Sequence, residues 1–127
     1  MKSLRRRFTG KTFAALRDGK MLGVRAGSEP HGFTGVWMVV VDGRVFVRSW
    51  GLKPRSWWRT FAKERRGAIS IGGREIPVRA VQTRSERLKD AVSRAYAEKY
   101  STPASLKWVR DMSRRKSRDT TTELQPR

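Results

Sequence analysis

The sequence predicts an α+β protein: a small, mainly antiparallel barrel of six short strands with helices at its periphery. Three observations carry this. Asp42-Gly43 and Gly72-Gly73 each stand between two β-prone runs, which marks two hairpins. Glu86 to Tyr100 repeats apolar residues at helical spacing, so long helices are mixed with the hairpins. Closing the strands on themselves is the simplest way to satisfy so many strand edges in a short chain.

Taken in order, Thr9 to Asp18 reads as a short helix, with Phe13 and Leu16 on one face and Gly19 ending it with a positive φ. Lys20 to Ala26 reads as a strand, and Gly27 to Gly32 as a loop by its turn chemistry. Val36 to Val41 is dense enough in β-branched side chains to be buried on both faces, and it pairs across Asp42-Gly43 with Val45 to Val47. From Lys53 to Arg65 the period changes: Trp57, Trp58 and Phe61 share a helix face, Ser56 caps it and Gly67 ends it. Ala68 to Ile71 and Ile76 to Val81 form the second hairpin, with Pro77 marking an edge or a bulge. In Glu86 to Tyr100 the stripe is Leu88, Ala91, Val92, Ala95, Tyr96 and Tyr100, with Thr83 and Glu86 as a capping box. Thr102-Pro103 stops that helix and starts the next, whose stripe is Leu106, Val109 and Met112. Thr120 to Leu124 is β-prone and reads as a closing strand or a frayed tail.

The 127 residues fit one domain, 1–127, with a basic, disordered start over residues 1–7. With no cysteine, disulfides and cysteine-based zinc sites are excluded, and a reducing cytoplasm is the expected setting. The longest apolar run, Val36 to Val41, falls far short of the roughly 20 residues of a membrane-spanning helix. Met1 to Arg7 is basic, but no apolar segment follows, so it is not read as a secretory signal. The net charge of +19, from 30 Lys+Arg against 11 Asp+Glu, concentrates anions of any kind around the molecule. The cations are spread over Arg5–Arg7, Lys53–Arg66 and Arg110–Arg118, so two readings stand open: a solvated basic surface, or non-specific nucleic-acid binding.

Several chemistries lack their residues. Gly10-Lys11-Thr12 has the last three residues of a phosphate-binding loop, but Arg5 stands where the first glycine belongs and no strand precedes it. His31 is the one histidine, so no triad or histidine metal cluster can form, and between Pro30 and Gly32 it reads as a solvated turn residue. The carboxylates are scattered, without an acid/base pair. What stands out is Val45 to Phe61. There a strand ends in Arg48-Ser49, turns through Gly51 and Pro54, and enters a helix at Ser56. Arg48, Lys53 and Arg55, the hydroxyls of Ser49 and Ser56, and the helix-start N–H groups would together suit an anion. Trp50 and Trp57 would give flat walls for a ring. The alternative is a structural corner in which Trp57, Trp58 and Phe61 plug the barrel while the cations face water.

The run from Gly35 to Tyr100 resembles the flavin-binding split-barrel superfamily that includes pyridoxamine-phosphate oxidase and the deazaflavin-dependent nitroreductases. The nearest likeness is to a bacterial family of unknown function placed beside it. The resemblance rests on Val36-Trp37-Met38-Val39-Val40-Val41, Phe46-Val47-Arg48-Ser49, Gly51, Ser56-Trp57, Ile71-Gly72-Gly73, Ala95-Tyr96-x-x-Lys99-Tyr100 and Thr121-Thr122-x-Leu124-x-Pro126. It implies a six-stranded split barrel, usually a homodimer, with FMN or a deazaflavin at the dimer cleft and oxidoreductase chemistry of unknown substrate. By position it nominates Arg48, Ser49, Lys53 and Ser56 for the cofactor phosphate, Trp57 for shaping the pocket and Trp37 for lining the cleft near the ring. Some relatives bind nothing, so a cofactor-free structural protein is the remaining alternative. Tyr96 and Tyr100 fall on the helix's apolar face and read as core; Lys99 beside them is a candidate for an anion or a partner subunit.

Overall fold

The computed structural model describes residues 7–28, 32–49 and 56–127. Along the chain run α1 (Gly10–Asp18), β1 (Leu22–Ala26), β2 (Thr34–Val36), β3 (Met38–Val41), β4 (Arg44–Val47), α2 (Trp57–Lys63), β5 (Arg66–Ile71), β6 (Arg74–Gln82), α3 (Glu86–Lys99), α4 (Pro103–Met112), α5 (Arg115–Arg118) and β7 (Thr122–Pro126). The strands form one antiparallel sheet in the order β2-β1-β5-β6-β7-β4-β3.

There are seven strands rather than six, because the expected run Val36 to Val41 is broken at Trp37. Its two halves pair with different neighbours: β2 sets Val36 opposite Leu22 of β1, and β3 sets Met38 opposite Val47 of β4. β2 and β3 are the two ends of the sheet, yet a single residue joins them. The sheet therefore curls into a nearly closed barrel with its seam at Trp37. The closing strand is β7, seated between β4 and β6. A bidentate pair from Arg44 to Glu123, at 3.2 and 2.8 Å, fastens β4 to β7.

Both hairpins turn as their sequences require. Asp42 and Gly43 have φ of 54° and 72°, and Gly72 and Gly73 have 58° and 76°, the pair of positive values that a two-residue turn of this hand demands. Pro77 lies opposite Ala68 and meets Arg127 on its other side, where its carbonyl accepts from the Arg127 N–H at 3.1 Å, so its missing donor removes one rung at the end of the β7 ladder.

Alternation along the strands splits the core in two. Inward side chains, among them Val24, Met38, Val45, Ile69, Val78 and Leu124, fill the barrel, and Leu16 of α1 with Trp57 and Phe61 of α2 belong to the same cluster. Val39 and Phe46, on the outer face of the β3–β4 hairpin, meet Leu88, Val92, Tyr96 and Tyr100 of α3 with Val109 and Met112 of α4. This hairpin is buried on both faces, as its composition requires.

Local signals need three corrections. The cap of α3 is Ser85, whose Oγ accepts from the Leu88 N–H at 3.2 Å, and not Thr83, whose N–H instead donates to the Thr121 carbonyl at 2.9 Å. Gly19 ends α1 in an extended conformation, φ −73°, and not with positive φ. Gly67 lies inside β5, and its reason is space: a Cβ there would stand 2.4 Å from the Arg25 carbonyl oxygen and 2.8 Å from the Phe61 ring. Among the described residues no helix is long and apolar enough to cross a membrane.

Candidate functional site

Arg48 follows β4 and keeps its alternation. Val45 and Val47 point into the barrel, so Phe46 and Arg48 point out, into the layer covered by α3 and α4. The side chain is 2% exposed. Its Nε donates to Thr121 Oγ1 at 2.8 Å, Nη1 to Ser93 Oγ at 2.8 Å and to the Met112 carbonyl at 2.9 Å, and Nη2 to the Lys89 carbonyl at 2.7 Å. The Met112 carbonyl belongs to the last turn of α4, where the helix dipole favours a cation. The guanidinium also lies 5.9 Å from the Tyr96 ring centre. Burial pulls its pKa down to about 10, which leaves it charged at neutral pH.

Ser49 is held as tightly. Its N–H donates to Thr120 Oγ1 at 2.8 Å, and its carbonyl accepts from Ser117 Oγ at 2.8 Å. Arg48 and Ser49 thus form one buried knot that ties the end of β4 to α3, α4, α5 and β7. Lys53 lies outside the described residues, as do Trp50, Gly51, Arg55 and His31. Beyond that segment Ser56 caps α2, accepting from the Arg59 N–H at 3.4 Å, and Trp57, 8% exposed, meets Phe61 edge-on at 6.1 Å inside the barrel core.

Trp37 belongs to a different constellation, the seam. Where the strand breaks, carbonyls lose their ladder partners, and α3 supplies replacements. Tyr96 Oη donates to the Trp37 carbonyl at 2.7 Å. The β1–β2 register, continued past Leu22–Val36, would set Lys20 opposite Met38. There the Tyr100 hydroxyl lies 2.8 Å from the Lys20 carbonyl and 2.7 Å from the Met38 carbonyl, its one proton shared between them. Lys99 Nζ adds donors to the Met38 carbonyl at 3.0 Å and to the Leu16 carbonyl, in the last turn of α1, at 3.3 Å. The Trp37 indole stacks on the Tyr100 ring at 4.3 Å and 6°. Burial raises the pKa of both tyrosines and lowers that of Lys99.

The structure therefore gathers the nominated residues in three places: Arg48 with Ser49, Ser56 with Trp57, and Trp37 with Tyr96, Lys99 and Tyr100. Tyr96 links the first and third through its ring and its hydroxyl. Sequence reasoning missed the hydroxyls of Ser93, Ser117, Thr120 and Thr121, which serve the Arg48–Ser49 knot. The signal was present as three consecutive threonines, Thr120 to Thr122, leading into a β-prone run, where each Oγ needs a partner once buried.

A nearly closed antiparallel barrel, seamed at one residue and buttressed by helices on one side, is the class of protein these elements define. A family model described as an uncharacterized protein conserved in bacteria (DUF2255) matches residues 13–124, and the chain belongs to that family. No curated protein matches it.

Proposed function

We propose that this protein binds a phosphorylated flavin-type cofactor, FMN or a deazaflavin, and works with it as an oxidoreductase, as a homodimer in the cytoplasm. One observation supports this above the others: the residues that flank Trp50 to Arg55 in sequence are each held on rigid structure. Ser49 is bound through both its N–H and its carbonyl, and Ser56 opens α2 as its cap. With two such fixed points on either side, a sequence carrying Lys53 and Arg55 suits the placing of cations on a phosphate.

The fit differs among the nominated residues. The Arg48 guanidinium donates to Thr121, Ser93, Met112 and Lys89, so in this reading Arg48 and Ser49 anchor the end of β4 and do not touch the phosphate. Ser56 accepts from a backbone N–H and keeps its own O–H to donate. Lys53 and Ser56 are then the phosphate contacts, Trp57 backs the helix start, and Trp37, half-buried at the seam, lines the cleft. Hydride chemistry would come from the cofactor, with the protein binding and orienting it, which is consistent with a sequence that offers no acid/base pair.

Titration of FMN and, separately, a deazaflavin into the purified protein, read by cofactor fluorescence anisotropy, tests this. The expected result is micromolar binding of one of the two, weakened about tenfold or more by Lys53→Ala and little changed by Arg66→Gln. Failure of both cofactors to bind at about 100 μM would overturn it.

A further inference from the structure

The helices leave part of the barrel bare. α3 and α4 cover the outer face of β3 and β4, while the outward positions Arg66, Glu75, Pro77 and Arg79 on β5 and β6 are exposed. Arg66 and Arg79 are direct cross-strand partners on this face. Like charges directly opposite one another repel and destabilise a sheet. Arg25 pairs with Glu75 at 2.9 Å, the Glu64 carboxylate accepts from Ser28, and among the described residues Arg66 and Arg79 have no ion-pair partner.

One pleat repeat away, about 7 Å along the strands, the facing pair Ala68 and Pro77 lies in an open basin of about 360 Å³, lined also by Arg25, Ser28, Glu75 and Arg127. Beyond Arg25 stands Phe33, 37% exposed, with the Arg25 guanidinium 4.6 Å from its ring centre. The side chain is seated over Gly23, where an added Cβ would stand 2.9 Å from the Phe33 Cβ and 3.3 Å from its ring. The face thus presents, in sequence, an exposed aromatic ring, a roomy polar basin and an uncompensated arginine pair.

We propose that this outer face of β1, β5 and β6 binds single-stranded nucleic acid. Arg66 and Arg79 take a backbone phosphate, whose charge turns their mutual repulsion into a shared attraction, and Phe33 gives a base a surface to stack on. A ring beside cations on one exposed sheet face is what a single strand needs, since every base offers a π-face and every linkage a charge. The proposal is independent of cofactor binding and uses none of its residues.

Fluorescein-labelled oligo-dT and oligo-rU twelve-mers, titrated between 50 and 200 mM NaCl, provide the test. Arg66→Glu with Arg79→Glu is compared with Lys107→Glu and Arg110→Glu, the same charge change on the exposed side of α4. The sheet-face reversal is expected to lose about tenfold or more in affinity and to lower the salt slope by about 1.4, the value for two cations on a single strand. The α4 reversal is expected to lose less than about threefold. Phe33→Ala should cost about fivefold or more, in line with the loss of one stacked base. Arg66→Gln with Arg79→Gln repeats the comparison should the reversal fail to fold, with circular dichroism as the check. Equal losses from the two reversals would show bulk charge at work and overturn the proposal. So would binding to phosphatidylserine vesicles with no binding to either oligonucleotide, or competition by heparin as effective as that by unlabelled oligo-dT at equal charge.

Discussion

The four acceptors around the Arg48 guanidinium include two backbone carbonyls and no carboxylate. A buried cation of this kind is held directly by dipoles, with the Asp90 and Asp119 carboxylates acting only from a distance, and those dipoles in turn depend on it. Replacing Arg48 by alanine leaves them dry, and each acceptor so stranded costs about 1–3 kcal/mol. Arg48→Ala is expected to destabilise the protein by roughly 3–5 kcal/mol, allowing for partial relaxation, seen as a lower urea midpoint at unchanged slope. Arg48→Met, which keeps most of the volume, is expected to lose nearly as much. A loss under about 1 kcal/mol in both would mean that the guanidinium is solvated and available to a ligand. That this residue is a tie was not legible in the sequence: an arginine after a strand, before a Gly- and Pro-containing turn, reads as a surface cation. Its side is set by alternation from Val47, and its burial by helices that come some forty residues later in the chain.

Among the elements, α3 does more than its apolar stripe announces. Tyr96, Lys99 and Tyr100 lie on the face that packs against β3, and their polar tips replace the hydrogen bonds that the sheet loses at Trp37. The helix was legible from its spacing, and the two hairpins from turns that only glycine and aspartate adopt easily. The break was not, because Val36 to Val41 is uniformly β-prone and pairing to two different partners leaves no mark on composition. α2 gives a second case, since the approach of Phe61 to the sheet depends on the missing side chain at Gly67. Gly67→Ala is expected to cost about 1–3 kcal/mol by overpacking, with part of the loss recovered when Phe61→Leu is added. Additive losses in urea denaturation of the double variant would show that the two sites do not share this contact.

For the molecule as a whole, the two tyrosines of the chain are both buried, 0% and 5% exposed, and both have a pKa raised by burial. The unfolded chain binds fewer protons than the native one once pH passes the ordinary tyrosine value near 10, so their contribution to stability is complete below that pH and falls above it. Arg48 and Lys99, whose values are lowered, act in the opposite sense over the alkaline range and soften the decline. Phenolate absorbance at 295 nm is therefore expected to stay flat through pH 10 and then to rise in one cooperative step together with loss of far-UV ellipticity. A gradual rise centred near pH 10 with the fold intact would contradict the buried seam.

The seam has a further consequence, for behaviour in a crowded solution. Exposed strand edges are templates on which other chains add, and the runs Val36–Val41 and Ala68–Ile71 are of the kind that feeds such growth. Here the two edges of the sheet are only three and four residues long and follow each other along one line of chain. The mouth between the ends of β1 and β3 is stopped by a phenol. A second copy has almost no ladder to join, so stable self-association has to proceed face to face, through side chains.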